Sequence, residues 1–338
     1  MRPLCLLPAL FACACASAVD RFTLEHVIPS AGSVGDVDRA CALGAALGHA
    51  LLSLGRPGHR AEVSLLMADT MAGFCSEGEA WEAELAAARG MVALNAGNTG
   101  LLPEVEDSRL REARAHQQAA ARFLAAWGHL QILYGPVGEG SCPALPGDEG
   151  ILYLLGMYAG VNALLHDRAS GGTLGVPLDI PAAVARGTLC VDDEQWWHAP
   201  AAMHAAAEAM LPGLAPEGSD PWANLEIAAA ASEPTGVRLG RGLQVLISAN
   251  AGREDEVRRG IQAHAVSLGA DPQQVPWALL DEYARIVSLH EADLLWTTAT
   301  GHRAPALGPL PDAAPAVAPP DPFAGDDPFG VPALEPEP

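Results

Sequence analysis

Arg253-Glu254-Asp255-Glu256-Val257-Arg258-Arg259-Gly260-Ile261-Gln262-Ala263-His264-Ala265-Val266-Ser267-Leu268 is the stretch that decides the fold class. Val257, Ile261, Ala265 and Leu268 recur at helical spacing and share one face. Glu254 with Arg258 and Asp255 with Arg259 stand four residues apart on the exposed side, each pair worth about 0.2–0.5 kcal/mol. That is the pattern of a packed amphipathic helix. Working outward, Ala, Leu, Glu and Arg dominate from about residue 36 to 299, and alternating β-branched runs are scarce. Helices are predicted over 36–54, 59–75, 77–95, 104–134, 148–166, 180–189, 195–211, 221–232, 236–251, 253–268 and 275–299. At Asp220-Pro221 and Asp271-Pro272 an aspartate can cap and a proline can open the first turn. In the last helix Leu280, Tyr283, Val287 and Leu294 form a similar stripe. His290 sits among them and reads as a core or edge residue before it reads as a ligand. The fold class is all-α, an array of antiparallel helical hairpins in which each pair leans on its neighbours.

The 338 residues include 41 acidic and 19 basic side chains, every basic one an arginine, for a net charge of −22. Such a chain repels phosphate, which excludes nucleic acid as a partner. Arginine without lysine, with abundant Ala, Gly and Pro, points to a GC-rich bacterial genome.

The N-terminus carries Arg2 and then an apolar run from Leu4 to Ala12. The run is too short to cross a bilayer core of about 30 Å but suits a signal peptide. Its end, Leu10-Phe11-Ala12-Cys13, resembles a lipobox, making Cys13 the expected lipid attachment site and Cys15 the alternative. Ordinary cleavage after Ala14 or Ala16 and a frayed cytosolic N-terminus are the competing readings. An acyl chain would anchor the protein to the membrane without a span. Four further cysteines remain. If 36–54 and 59–75 form a hairpin around Arg56-Pro57-Gly58, Cys41 and Cys75 lie level and can be bridged, leaving Cys142 to pair with Cys190. The alternative is four small buried hydrophobes.

The chain divides into 1–16, a lipoprotein-type signal peptide and anchor region; 17–35, a linker; 36–303, the helical domain; and 304–338, a Pro/Asp-rich disordered tail. Asp321-Pro322-Phe323 is echoed by Asp327-Pro328-Phe329, and six acidic but no basic residues occur from Asp312 onward.

No catalytic signature is present: there is no G-x-x-x-x-G-K-[ST], H-E-x-x-H or G-x-S-x-G, and Gly135 to Gly140 is a glycine-rich loop without a preceding strand. The chain is read as a non-enzyme with no catalytic, cofactor-binding or metal site. The densest polar and aromatic cluster is Asp192-Asp193-Glu194-Gln195-Trp196-Trp197-His198, followed by His204 and Glu208. Glu194 with His198 and His204 with Glu208 have the spacing of paired metal ligands. Pro200 interrupts the run, so a helix start whose tryptophans pack on the next hairpin is the preferred reading.

Ala182 to Leu189, leading to Asp192, and Ile261 to Leu268, leading to Asp271-Pro272, end as tetratricopeptide-like (TPR-like) helices do, though the repeats are degenerate. The order of segments resembles the TatT family, the helical lipoproteins associated with TRAP-type transporters. The resemblance rests on the hairpin around Ala45 to Phe74, the helix Arg109-Leu110-Arg111-Glu112-Ala113-Arg114 and the aromatic helix Leu152 to Gly160. It continues through Leu189 to Trp197, Ala199 to Pro212 and Leu279 to Leu295. This sequence departs from it in lacking tryptophan at 152–160 and in carrying the tail. The resemblance implies a cup-like TPR-like superhelix, trimeric, held as a lipoprotein in the periplasm of a Gram-negative bacterium. It further implies docking of a TRAP-type solute-binding protein and a chamber for a hydrophobic organic solute. A general envelope scaffold for protein–protein interaction is the alternative function.

Overall fold

The computed structural model of the chain describes residues 18–54, 61–270 and 277–312, and every regular element among them is helical. Residues 18–32 form α1, wound as a π-helix over Thr23–Val27. There follow α2 (Val37–Leu54), α3 (Glu62–Asn95), α4 (Leu102–Tyr134) and α5 (Glu149–Ala169). After these come α6 (Ile180–Thr188), α7 (Ala199–Met210), α8 (Pro221–Ser232), α9 (Leu239–Asn250), α10 (Glu254–Ala270) and α11 (Ala278–Thr300). Among the described residues no helix is long and apolar enough to cross a membrane. The leader with Cys13 and Cys15, the turn at Arg56 to Gly58, Asp271-Pro272 and the Asp-Pro-Phe repeats lie outside the described residues.

α3 and α4 are the longest pair, and they run antiparallel, Arg122 of α4 reaching Ala72 and Ser76 of α3 while Gly90 meets Val105. α5 lies against α4 and is buried from Gly150 to Asp167 without a break. A helix apolar all round has no solvent face to offer, so it forms the centre of the core. Its glycines let the two helices approach closely: a Cβ on Gly160 would stand 2.4 Å from Trp127 Cε3, and one on Gly156 2.7 Å from Leu130 Cδ1. The shorter helices α6 to α10 continue the layer, and α11 then returns to pack on both α9 and α3. In a one-dimensional array each pair would touch only its neighbours. Here the last helix closes against the first long one.

Three sequence expectations are corrected. The predicted break between 59–75 and 77–95 does not occur, because α3 runs through it. Ser76-Glu77-Gly78 has the composition of a helix end, but Ser76 Oγ accepts from Arg122 at 2.7 Å and Glu77 is bonded to other helices. The linker expected over 17–35 is helical to residue 32, since its short polar side chains dock on α3: Asp20 Oδ1 accepts from Ser64 N at 3.1 Å and Ser64 Oγ at 2.9 Å. The tail predicted from 304 has an ordered beginning. Leu307 and Leu310 pack on Val257, Ile261 and Ala292, while Trp296 Nε1 donates to Pro309 O at 2.9 Å. Averaging composition over the whole tail hid two leucines spaced to cover one patch.

Two disulfides join Cys41 of α2 to Cys75 of α3 and Cys142 to Cys190, with Cα–Cα distances of 5.2 and 5.3 Å. A second cross-link is ionic. Arg238, fully buried, donates to Asp281 Oδ2 at 3.0 Å, Ser267 Oγ at 2.7 Å and Ser267 O at 3.0 Å, tying the start of α9 to α10 and α11. Removing one partner of such a pair strands a charge in the core, so Asp281→Ala is expected to cost about 3–5 kcal/mol in chemical denaturation. Gly160→Val should cost about 1–3 kcal/mol by overpacking against Trp127. A Gly160→Val melt indistinguishable from the parent would show that the α4–α5 contact is looser than this geometry.

Candidate functional site

Two cavities share one aromatic wall, the stacked rings of Trp81 on α3 and His290 on α11, with centroids 4.6 Å apart and planes at 12°. On one side is a cleft of about 850 Å³ between α2, α3, α4 and α11, which the Cys41–Cys75 bond flanks. Phe74, Trp81 and Ile286 give it an apolar surface, and its polar side mixes three arginines with the carboxylates Asp38, Glu79, Glu82 and Asp293. Arg303 pairs with Glu82, and Arg111 with Asp107 at 3.1 Å. Arg114 is exposed and has no ion-pair partner among the described residues.

On the other side is a chamber of about 260 Å³ walled by α3, α4, α5, α9 and α11. Its floor is a chain of hydrogen bonds through the core. Tyr158 OH donates to Tyr283 OH at 2.9 Å, and Tyr283 OH donates to Glu77 Oε2 at 2.6 Å. Glu77 Oε1 lies 3.0 Å from His166 Nε2, and the Nδ1 atoms of His166 and His116 are 2.7 Å apart. A second pair, His290 Nε2 to Glu84 Oε2 at 3.0 Å, stands beside it. Glu112, one helical turn before His116, and Glu291, next to His290, complete the acidic lining.

Burial sets the protonation of these groups. It pushes His116 down to about 4, helped by His166, so the imidazole is neutral at pH 7. Burial pushes Glu291 up to about 7 against the pull of His290, and raises Glu112, with the negative charge of Glu84 adding to both. Burial opposes both charges of the Glu84–His290 pair, yet their hydrogen bond and mutual attraction win, lowering Glu84 and raising His290. Tyr158 and Tyr283 are raised by burial and then by the charge on Glu77, which makes them weaker acids than free tyrosine. The relay is therefore a hydrogen-bonded strut at neutral pH. It offers no activated nucleophile.

The cluster singled out from sequence assembles differently. His198 Nδ1 bonds Asp193 Oδ2 at 2.7 Å instead of Glu194, and Asp193 Oδ1 accepts from Ala201 N at 2.9 Å, which caps α7. The predicted helix over 195–211 thus begins only at Ala199, because Trp197 and His198 both take left-handed backbone conformations, φ 57° and 59°. His204 Nε2 does approach Glu208 Oε1, at 3.4 Å, while its Nδ1 donates to Ala185 O at 2.8 Å. Among the described residues no group of three or more His, Cys, Asp or Glu side chains is placed to hold a metal ion. Trp196 and Trp197 pack edge-on against Trp277, with centroids 5.8 and 5.4 Å away.

The chamber residues Glu77, Glu84, Glu112, His116, His166 and Glu291 were not picked out in the sequence. One signal was available: Asn162, His166 and Asp167 are polar in a helix whose buried stretch from Gly150 is otherwise made of apolar and tyrosine side chains. No family model, no curated protein and no solved structure matches the chain.

The low pKa of His116 gives a pH dependence with a definite sign. Unfolded, this histidine takes up a proton near pH 6.5, whereas folded it stays neutral to about 4. Its contribution to stability is complete above pH 6.5 and is lost as the pH falls toward 4. His116→Gln should accordingly flatten the fall in unfolding free energy between pH 6 and 4 by on the order of 1 kcal/mol per pH unit. Parallel stability–pH curves for parent and variant would contradict a neutral, buried His116.

Proposed function

We propose that the chain is a non-catalytic accessory lipoprotein of the bacterial periplasm that docks a TRAP-type solute-binding protein and shelters a hydrophobic organic solute. The cleft between α2, α3, α4 and α11 carries this reading. Its volume of about 850 Å³ falls in the usual range for small-molecule sites, roughly 300–1,000 Å³. Its apolar rings suit a mostly apolar compound, and Arg114, standing among carboxylates that include Asp38 and Glu79, offers a contact to an acidic group on it. Two disulfides fit an oxidising compartment, and the leader ending at Cys13 fits export and anchoring. The titratable groups beside the cleft are bonded to one another, which favours binding over turnover.

A second reading, a general envelope scaffold, is favoured by a groove of about 520 Å³ between the end of α6, α7 and α8. Leu189 and Ile227 stand on it at 73% and 67% exposure and offer an apolar surface to another protein.

Gly78 separates the two. It lies on the cleft wall in the middle of α3, and a Cβ there meets nothing within 4 Å, so Gly78→Phe can fill the cleft without disturbing the core. The parent is expected to form a complex with the TRAP-type binding protein of the same genome in light scattering. It should also bind the apolar anion anilinonaphthalene sulfonate, at least tenfold more tightly than Gly78→Phe does. No complex, together with dye binding that ignores Gly78→Phe, would defeat the transporter reading. Capture of envelope proteins lost on Leu189→Asp would favour the scaffold.

A further inference from the structure

The chamber behind the Trp81–His290 wall carries more carboxyls than cationic side chains, His290 being the one histidine there held toward its charged form. Outside the chamber the buried carboxylates each have a donor: Asp281 has Arg238, Asp167 the backbone N–H groups of Leu174 and Val176, and Glu208 faces His204. Four glutamates, Glu77, Glu84, Glu112 and Glu291, line the chamber, and no arginine does. The chain contains no lysine at all. Glu77 is bonded to Tyr283 and His166, and Glu84 to His290. Glu112 and Glu291 have neither a hydrogen bond nor an ion pair among the described residues.

An independent observation points the same way. Asn162 is fully buried on α5 and lines the chamber; its Nδ2 donates to Tyr158 O at 3.0 Å, but its Oδ1 meets no donor. A buried carbonyl left without a partner costs about 1–3 kcal/mol. Two carboxyls and a buried amide oxygen of the chamber thus go without a donor. What they lack is an N–H donor that carries positive charge.

A bare metal ion does not meet that need. It requires several donors converging within about 2.0–2.6 Å of one point, and the described residues provide no such group. Apart from the three histidines and Asn250, the remaining lining is apolar, with Leu165, Leu246, Ala249 and Leu294 and the indole of Trp81 at the wall. Carboxylates, a bare carbonyl, an aromatic ring and aliphatic side chains together are complementary to a short alkyl chain bearing an ammonium group. We propose that this chamber binds a small organic ammonium compound, its N–H groups donating to Glu112, Glu291 and Asn162 Oδ1 and its alkyl part lying on Leu246 and Leu294. Burial raises both Glu112 and Glu291, and the charge of Glu84 adds to the rise, against the weaker pull of His290 on both and of Arg109 on Glu112; an ammonium group between them would add to that pull.

This site is distinct from the cleft and does not depend on the transporter reading. Isothermal titration of the full chain with putrescine (1,4-diaminobutane) tests it, with 1,4-butanediol as the uncharged match, and Mg²⁺ and Zn²⁺ as bare cations. Putrescine should bind one to one, at least thirtyfold more tightly than the diol. Glu112→Gln and Asn162→Leu should each weaken it at least tenfold while leaving dye binding in the cleft unchanged. If Asn162→Leu does not fold, Glu112→Gln decides, because its side chain is only half-buried on the chamber wall. Overturning results are no heat with putrescine, equal affinity for the diol, affinity untouched by Glu112→Gln, or a stoichiometric metal ion that displaces putrescine. Putrescine binding by a chain that forms no complex with a solute-binding protein would leave this inference standing and remove the docking role. The converse would do the reverse.

Discussion

Glu77 is the constraint around which the molecule closes. A carboxylate with 1% of its surface exposed, in the middle of a 34-residue helix, is unstable unless other elements bring donors to it. α11 brings Tyr283 and α5 brings His166, and each donor is backed in turn, Tyr283 by Tyr158 and by Phe74 stacked 4.1 Å away, His166 by His116 of α4. Four helices are keyed to one side chain. Satisfying it requires α11 to lie on α3, so the array cannot remain an open succession of hairpins. The α3–α11 contact then separates the two cavities, leaving the cleft on one side and the chamber on the other.

The all-helical class and most of the helix positions were legible, because they depend on local periodicity, caps and prolines. Val257, Ile261 and the Glu254–Arg258 pair announce α10 without reference to anything distant, and the structure keeps that ion pair at 2.7 Å, whereas Arg259 pairs with Glu256 at 3.4 Å in place of the expected Asp255. The hairpin of α2 and α3 was legible for the same reason, since level cysteines in adjacent antiparallel helices can be bridged. What failed was local punctuation overruled from afar. Ser76-Glu77-Gly78 ends a helix by its own preferences, yet Tyr283, 206 residues away in sequence, donates to Glu77 and holds the helix together across it. Nothing within a window of ten residues contains that information.

The same distinction explains why the site was missed while the Asp192 to His198 cluster drew attention. That cluster is dense in sequence and modest in space: its aspartates and histidine cap a helix and brace two residues in left-handed conformations, a recurrent use of Asp and short-range hydrogen bonds at helix starts. The chamber is sparse in sequence and dense in space. Besides Trp81, each of its five helices gives it one or two polar residues, seven apart on α3, four apart on α4 and α5 and adjacent on α11, so outside α5 each reads as the solvated edge of an amphipathic helix. Asn162 and His166, with Asp167 beside them, break the pattern of their own helix, since α5 is buried from Gly150 to Asp167 and has no solvated edge on which to place them.

The two cavities also rest on different chemistry. The cleft depends on α2, which reaches α3 through the Cys41–Cys75 bond and a close approach at Gly44, where a Cβ would lie 2.5 Å from Ala68 O. Closing a loop of 34 residues limits the unfolded chain by about 3.5–4 kcal/mol in the loop-entropy account, so in an oxidising compartment that wall is held covalently. The chamber takes no residue from α2, and its walls are held by hydrogen bonds that do not respond to thiol chemistry. Reduction therefore acts on the cleft through α2 and leaves the Glu77 network with all its partners. A ligand in the chamber and a ligand in the cleft share only Trp81 and His290, and His290 is fixed on its far side by Glu84. That pair of rings, together with α3, α4 and α11, which line both cavities, is the route for any energetic coupling between the two sites, and the coupling must be equal in both directions.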